Sequence, residues 1–159
     1  MSGSAERSGP PPLRPFGLRL HHDGRFSHDG EPILNRKLRE HFDRSVAYLP
    51  EEGKYVVRLG PFRGEVEVQE AGFFVRSYDA ETGEIALSDG TRERLDVASL
   101  TPSPIDGALL CRVKRGLVDE GLTARFRGAA QSALLLAVEE RDGRNVLRVG
   151  GQAIDLPDL

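Results

Sequence analysis

Gly53-Lys54-Tyr55-Val56-Val57-Arg58-Leu59-Gly60 returns 90 residues later as Gly143-Arg144-Asn145-Val146-Leu147-Arg148-Val149-Gly150. Four positions are identical and three are conservative, which leaves Tyr55 against Asn145 as the one difference in kind. Each copy reads as a strand bounded by glycines that punctuate the chain. Each also follows a helical pattern and precedes a turn, Gly60-Pro61 or Gly150-Gly151, and then a further strand. The order helix, turn, strand, turn, strand therefore occurs twice, which is the mark of a duplicated unit.

Working outward from that pair, Leu34, Leu38, Phe42, Val46 and Leu49 recur at three- to four-residue spacing and predict a first helix, with Asn35 as its cap. Phe126, Ala129, Ala130, Ala133, Leu134, Ala137 and Val138 predict a second, whose alanines imply close packing. Ahead of the first helix, Asp23-Gly24 predicts a two-residue β-hairpin turn. That register sets His21 opposite Phe26 and His22 opposite Arg25, and leaves His21 and His28 as diagonal neighbours on one face. A second hairpin reads as a three-residue loop ending at Thr91, with Ile85 paired to Leu95. The expected fold is α+β: two related helix-plus-antiparallel-sheet units over 16–100 and 101–159, the first with an extra β-hairpin, and a linker across Thr101–Gly107. A Pro-rich arm over residues 1–15, with prolines at 10, 11, 12 and 15, has too little apolar surface to offset its ordering entropy and is expected to be disordered.

The 159-residue chain is 38% hydrophobic and 30% charged, an ordinary globular composition, with a net charge of −3. That balance argues against nucleic acid as a partner. The longest apolar run, Ala133 to Val138, is far shorter than the roughly twenty residues that span a bilayer, so no membrane segment is expected. The arm lacks the apolar run of a signal peptide, and the lone Cys111 can form neither an internal disulfide nor a cysteine-based zinc site; both features point to a cytoplasmic protein.

Asp23-Gly24-Arg25-Phe26-Ser27-His28-Asp29-Gly30-Glu31-Pro32-Ile33 with Arg36, Val66-Glu67-Val68 ahead of Phe73, and Gly121-Leu122-Thr123-Ala124-Arg125-Phe126 resemble the recurrent stretches of an uncharacterised bacterial family, domain of unknown function twelve eighty-five (DUF1285). The likeness runs from about Leu18 to the C-terminus. Phe26 and Gly72 stand where that family carries Trp and Pro, and Gly150-Gly151 lacks its preceding Trp-Ser, so the chain resembles a divergent member. The resemblance implies an α+β fold with repeated motifs and a role in signal transduction. It names no chemistry.

The residues themselves offer few reactive groupings. No Gly-x-Ser-x-Gly, Gly-x-x-x-x-Gly-Lys-Ser/Thr or Gly-x-Gly-x-x-Gly occurs, and Cys111 sits in an apolar strand pattern that suits a structural thiol. His21 and His28 form the only shared-face histidine pair, a weak set of metal ligands on which a metal-dependent hydrolase would have to rest. Cations open both predicted helices, Arg36 and Lys37 in the first and Arg125 and Arg127 in the second, against the helix dipole. Local carboxylates, Glu31 for one and Asp119 or Glu120 for the other, would offset them; alternatively the four residues form two anion sites. The leading expectation is a non-enzymatic ligand-binding or regulatory module, without cofactor, whose partner is a small anionic metabolite or a protein. The other alternative is an interaction scaffold using Phe73-Phe74 and the Pro-rich arm. Nothing in the sequence sets the oligomeric state.

Overall fold

The computed structural model describes residues 14–159, with side chains from residue 17 onward. The chain divides into two compact units, 1–70 and 71–159. Residues 1–13 of the expected arm lie outside the described residues, whereas Arg14 and Pro15 open a strand.

The first unit runs β1 (Arg14–Leu20), β2 (Phe26–His28), β3 (Glu31–Pro32), α1 (Arg36–Ser45), β4 (Ala47–Leu49), β5 (Lys54–Leu59) and β6 (Phe62–Val68). Its strands form one sheet in the order β3-β2-β1-β6-β5-β4. Two antiparallel meanders thus meet at a parallel pair, β1 with β6, and α1 supplies the crossover that a parallel pair requires. Asn35 caps α1, its side chain accepting from Leu38 N–H at 3.0 Å. The predicted apolar stripe spans three kinds of structure: Leu34 precedes the helix, Val46 caps its end and Leu49 belongs to β4. Only Phe42 of α1 is fully buried, its ring 5.7 Å from that of Phe26.

The second unit runs β7 (Phe73–Asp79), β8 (Glu84–Leu87), β9 (Arg92–Arg94), a 3-10 turn (Val97–Ser99), β10 (Thr101–Pro102), β11 (Leu109–Val113), β12 (Leu122–Phe126), α2 (Gly128–Leu136), β13 (Val138–Arg141), β14 (Arg144–Val149) and β15 (Gln152–Asp155). Its larger sheet, ordered β10-β11-β12-β7-β8-β9, repeats the plan of the first: two meanders joined by a parallel pair, here β7 with β12. The boundary falls at 70/71 rather than 100/101 because this parallel pairing stitches residues on both sides of the expected linker into one sheet. Thr101 and Pro102 pair with Leu110 and Leu109.

A third meander, β13-β14-β15, follows α2 as β4-β5-β6 follows α1. The offset of 90 holds through the hairpins: Val56↔Glu65 and Leu59↔Phe62 recur as Val146↔Asp155 and Val149↔Gln152. The turns differ. Gly60 has φ +59 but Pro61 is held negative by its ring, whereas Gly150 and Gly151 are both positive, +56 and +82.

α2 starts two residues later than its periodicity suggests, because Phe126 ends β12. Ala130, Leu134 and the capping Ala137 are its buried line, and the helix packs on β7.

Both expected hairpin registers shift. Leu20 pairs with Phe26, so the β1–β2 loop has three residues, His22-Asp23-Gly24, closed by His21 N–H donating to Arg25 O at 2.8 Å. Asp23 keeps a negative φ and its carboxylate accepts from Arg25 N–H, which excludes the two-residue turn. Ser88-Asp89-Gly90 repeats this loop, with Leu87 N–H donating to Thr91 O and Asp89 accepting from Thr91 N–H. The loop length is as expected but begins one residue earlier, pairing Ile85 with Glu93. Leu95 remains buried.

Candidate functional site

In the first unit a groove of about 220 Å³ opens between α1 and the sheet, lined by Leu18, His28, Ile33, Leu38, Phe42 and Leu59. Each strand contributes by parity. Leu18 and His28 are directly paired across β1 and β2 and so point to the same side, Leu38 and Phe42 are one helical turn apart on α1, and Leu59 ends β5. His41, also on α1, donates Nε2–H to Arg58 O at 2.7 Å and so ties the helix to the end of β5. Leu34 and Phe62 are exposed, at 82% and 59%, and Leu59 is 40% exposed. The volume is below the roughly 300–1,000 Å³ of sites for drug-sized ligands, so the groove suits one or two side chains or a short acyl group.

The sequence-predicted residues separate. Arg36 and Lys37 are the first two residues of α1; Arg36 Nε pairs with Glu40 at 3.2 Å, one turn on, rather than with Glu31. The second cationic pair does not open a helix. Arg125 lies inside β12, its guanidinium pairing with Asp106 rather than Asp119 or Glu120, and Arg127 is the residue before α2, its guanidinium stacked 5.5 Å from the Phe74 ring centre. A strand and a helix entry replace the predicted first turn because α2 begins at Gly128.

His21 and His28 are not on one face. The three-residue loop moves the register by one, so His28 stands with Leu18 on the groove side, while His21 lies on the other and meets Ser27 Oγ at 2.9 Å. Among the described residues no three His, Cys, Asp or Glu side chains converge as a metal site would require. Phe73 and Phe74 are buried core residues of β7 and offer no surface. Cys111 is also buried; burial, with Glu93 and Asp96 adding to it, pushes its thiol up to about 12, so it stays protonated and unreactive near neutrality.

One polar cluster was not visible in sequence. In the second unit Lys114 Nζ lies 2.7 Å from Asp89 Oδ2, 3.1 Å from Thr91 Oγ1 and 4.9 Å from the Phe73 ring centre. Both charged side chains are only about 15% exposed, at 14% and 15%. Burial by itself would raise the Asp89 carboxyl, but hydrogen bonds from Lys114 and Thr91 and the lysine charge together outweigh it and hold the group below its ordinary value. Lys114 has φ +58, a conformation unfavourable for a side chain with Cβ, and its own N–H donates to Glu93 at 3.1 Å. These bonds make the cluster a structural latch between the β8–β9 loop and the end of β11.

A broader hollow of about 680 Å³ lies beside Gly143–Asn145 and residues 155–159. It is crossed by the exposed Arg144–Asp155 pair, and its lining mixes these charged groups and Asp158 with Leu156, Pro157 and Leu159, whereas the α1 groove is almost wholly apolar. No described helix is long and apolar enough to cross a membrane.

No family model and no curated protein matches the chain. A DUF1285 family protein from Silicibacter pomeroyi DSS-3 has a similar structure, with a TM-score of 0.59 and 18% identity over 96% of this chain and 92% of that one. A second DUF1285 family protein, from Shewanella baltica OS155, gives 0.47 and 12% over 71% and 85%. The fold read from duplicated strands and paired meanders is thus one shared with a solved protein of the family whose motifs the sequence resembles.

Proposed function

We propose that this protein is a non-enzymatic binding module of regulatory type, and that the α1 groove of the first unit is its seat for a protein partner. The observation that carries the reading is the groove itself: an apolar recess whose lining includes the 40% exposed Leu59, sized for a side chain rather than a metabolite. Its flank is cationic. Arg36, Lys37, Arg39 and Arg44 outnumber Glu40 and Asp43 on α1, so a partner bearing carboxylates is favoured over a basic one. A hydrolase fits less well, because its proposed histidines stand on opposite faces and the one thiol is buried.

Thermal unfolding of the full chain against short-chain carboxylates, phosphorylated metabolites and divalent metals tests this. A compound at about 100 Kd adds roughly 2.7 kcal/mol of stability. The expected result is stabilisation by apolar carboxylates that mimic an acidic partner's side chain, lost in Leu38→Gln. A shift with metals, or an anion effect indifferent to Leu38→Gln, would contradict it.

A further inference from the structure

The parallel pair that closes each six-stranded sheet is built the same way twice. The last strand of one meander, β6 or β12, is flanked by the first strand of the meander before it, β1 or β7. Just past the end of each meander strand an N–H donates across the pair, Gln69 to Leu20 O and Arg127 to Val75 O, both at 3.0 Å. Each flanking strand also sets two large apolar residues, two positions apart, on the meander. Leu18 lies opposite Val66 and Leu20 opposite Val68; Phe73 lies opposite Ala124 and Val75 opposite Phe126. All four flanking side chains are buried.

The third meander lacks such a strand. β15, the 90-residue counterpart of β6, pairs with β14 alone among the described residues. Leu156 N–H donates to Asn145 O, so by alternation Gln152, Ile154 and Leu156 turn their backbone groups toward β14, and Ala153 and Asp155 turn theirs outward. Those outward N–H and C=O groups have no bond among the described residues, and both residues are exposed. β6 remains a strand through Val68, two residues beyond its last pairing with β5, because β1 holds it. β15 stops at Asp155, and its continuation over 156–159 is irregular, with Leu159 exposed.

We propose that the free edge of β15 is a strand-addition site whose occupant is an extended segment of a partner protein, parallel to β15, with two large apolar residues opposite Ile154 and Leu156. The two closed sheets select that occupant. Both cover the equivalent edge with a parallel strand of this pattern, and in both the apolar residues are those whose backbone groups face the meander. Ile154 pairs with the buried Leu147, so the added side chains extend an apolar face that already exists. The parallel direction sets this contact apart from a two-fold pairing of two β15 strands, which would be antiparallel. Pro157 has no N–H, so Ala153 and Asp155 supply the donors and the site takes a short segment. The site belongs to the second unit and is independent of what the α1 groove of the first unit binds.

The test is a titration of the capped peptide Phe-Gly-Leu-Arg-Leu-His, the sequence of residues 16–21, into the isotope-labelled full chain, followed by amide chemical shifts. The expected result is saturable shifts centred on residues 152–158. N-methylation of the second peptide leucine, whose N–H donates to Asp155 O in this arrangement, should weaken binding at least about tenfold, whereas N-methylation of the arginine, whose backbone faces away, should leave it unchanged. A nitroxide at the amino end of the peptide should broaden Gln152 and Ala153 more than Asp158 and Leu159, as a parallel strand requires. No saturable shift up to millimolar peptide, equal affinity of the two N-methylated peptides, broadening centred on 158–159, or shifts centred elsewhere would overturn the proposal. So would shifts at 152–158 on deleting residues 1–13 or on diluting the chain alone, since each names a different occupant.

Discussion

The β14–β15 hairpin is tied down beside its turn, with Val149 buried and Gly150 N–H bonded to Ala80 O, whereas the corresponding Leu59 of the β5–β6 hairpin is exposed, although the two share register, length of turn and a run of matching residues. Local sequence made both hairpins; what surrounds them made one a structural joint and left the other a surface. The largest effect expected from this difference is at Gly83. Gly83→Ala places a Cβ against Val149 at a positive φ, and combined strain and overpacking should cost about 3 kcal/mol, measured by denaturant unfolding. Gly60→Ala, at a similar φ but with open space around it, should cost about 1 kcal/mol. Equal losses at the two positions would break the comparison.

The paired three-residue loops sharpen it further. Asp89 and Asp23 cap the same kind of turn, but Asp89 is latched by a largely buried lysine and Asp23 by an exposed arginine. Asp89→Ala leaves Lys114 without its counter-ion and should destabilise by about 2–3 kcal/mol, against about 0.5–1 kcal/mol for Asp23→Ala. The pH dependence has the same origin. The Asp89 carboxyl is held below its unfolded value, so its contribution is complete above about pH 4 and is lost as pH falls through the folded value. Acid unfolding of Asp89→Asn should therefore lack that component. Next in size is Tyr78→Phe, which removes the bond to Arg148 O and should cost about 1 kcal/mol. Tyr78 is also held protonated, chiefly by burial with Asp79 adding and Arg148 and Arg94 opposing. Its stabilisation is full below about pH 10 and declines as pH rises toward the folded value, a component the phenylalanine variant should lack. Smallest is Phe62→Ser, at an exposed position, within about 0.5 kcal/mol in stability.

Much of the fold was legible in sequence where periodicity and glycine punctuation agree. The duplicated strand at Lys54–Leu59 and Arg144–Val149, the Asn35 cap and the strand character of the β7–β9 segments all follow from local rules. The larger repeat, two six-stranded sheets each closed by a parallel pair, was not, because β1–β6 and β7–β12 join residues dozens of positions apart and leave no local pattern. Asp-Gly misled for a local reason. At Asp29-Gly30 and Asp142-Gly143 both residues take positive φ and make two-residue turns, whereas Asp23 and Asp89 use their carboxylates to cap the chain two residues on. One residue of register then moved His21 to the face opposite His28, so the two do not form the shared-face pair that the sequence suggested. The groove was half legible: Leu38 and Phe42 were read as core, but that Leu59 and Ile33 border an opening depends on packing. Lys114 in the left-handed region carries no sequence signal at all.

The central claim is that one hairpin is tied at its turn into a loop of its own unit and its counterpart is not, and amide hydrogen exchange of the full chain measures this most directly. Gly150 N–H, bonded to Ala80 O, should exchange only through opening of its unit, while Gly60 N–H should exchange at close to the unprotected rate. Strong protection of both amides would mean that the first tip is already covered and would contradict the account.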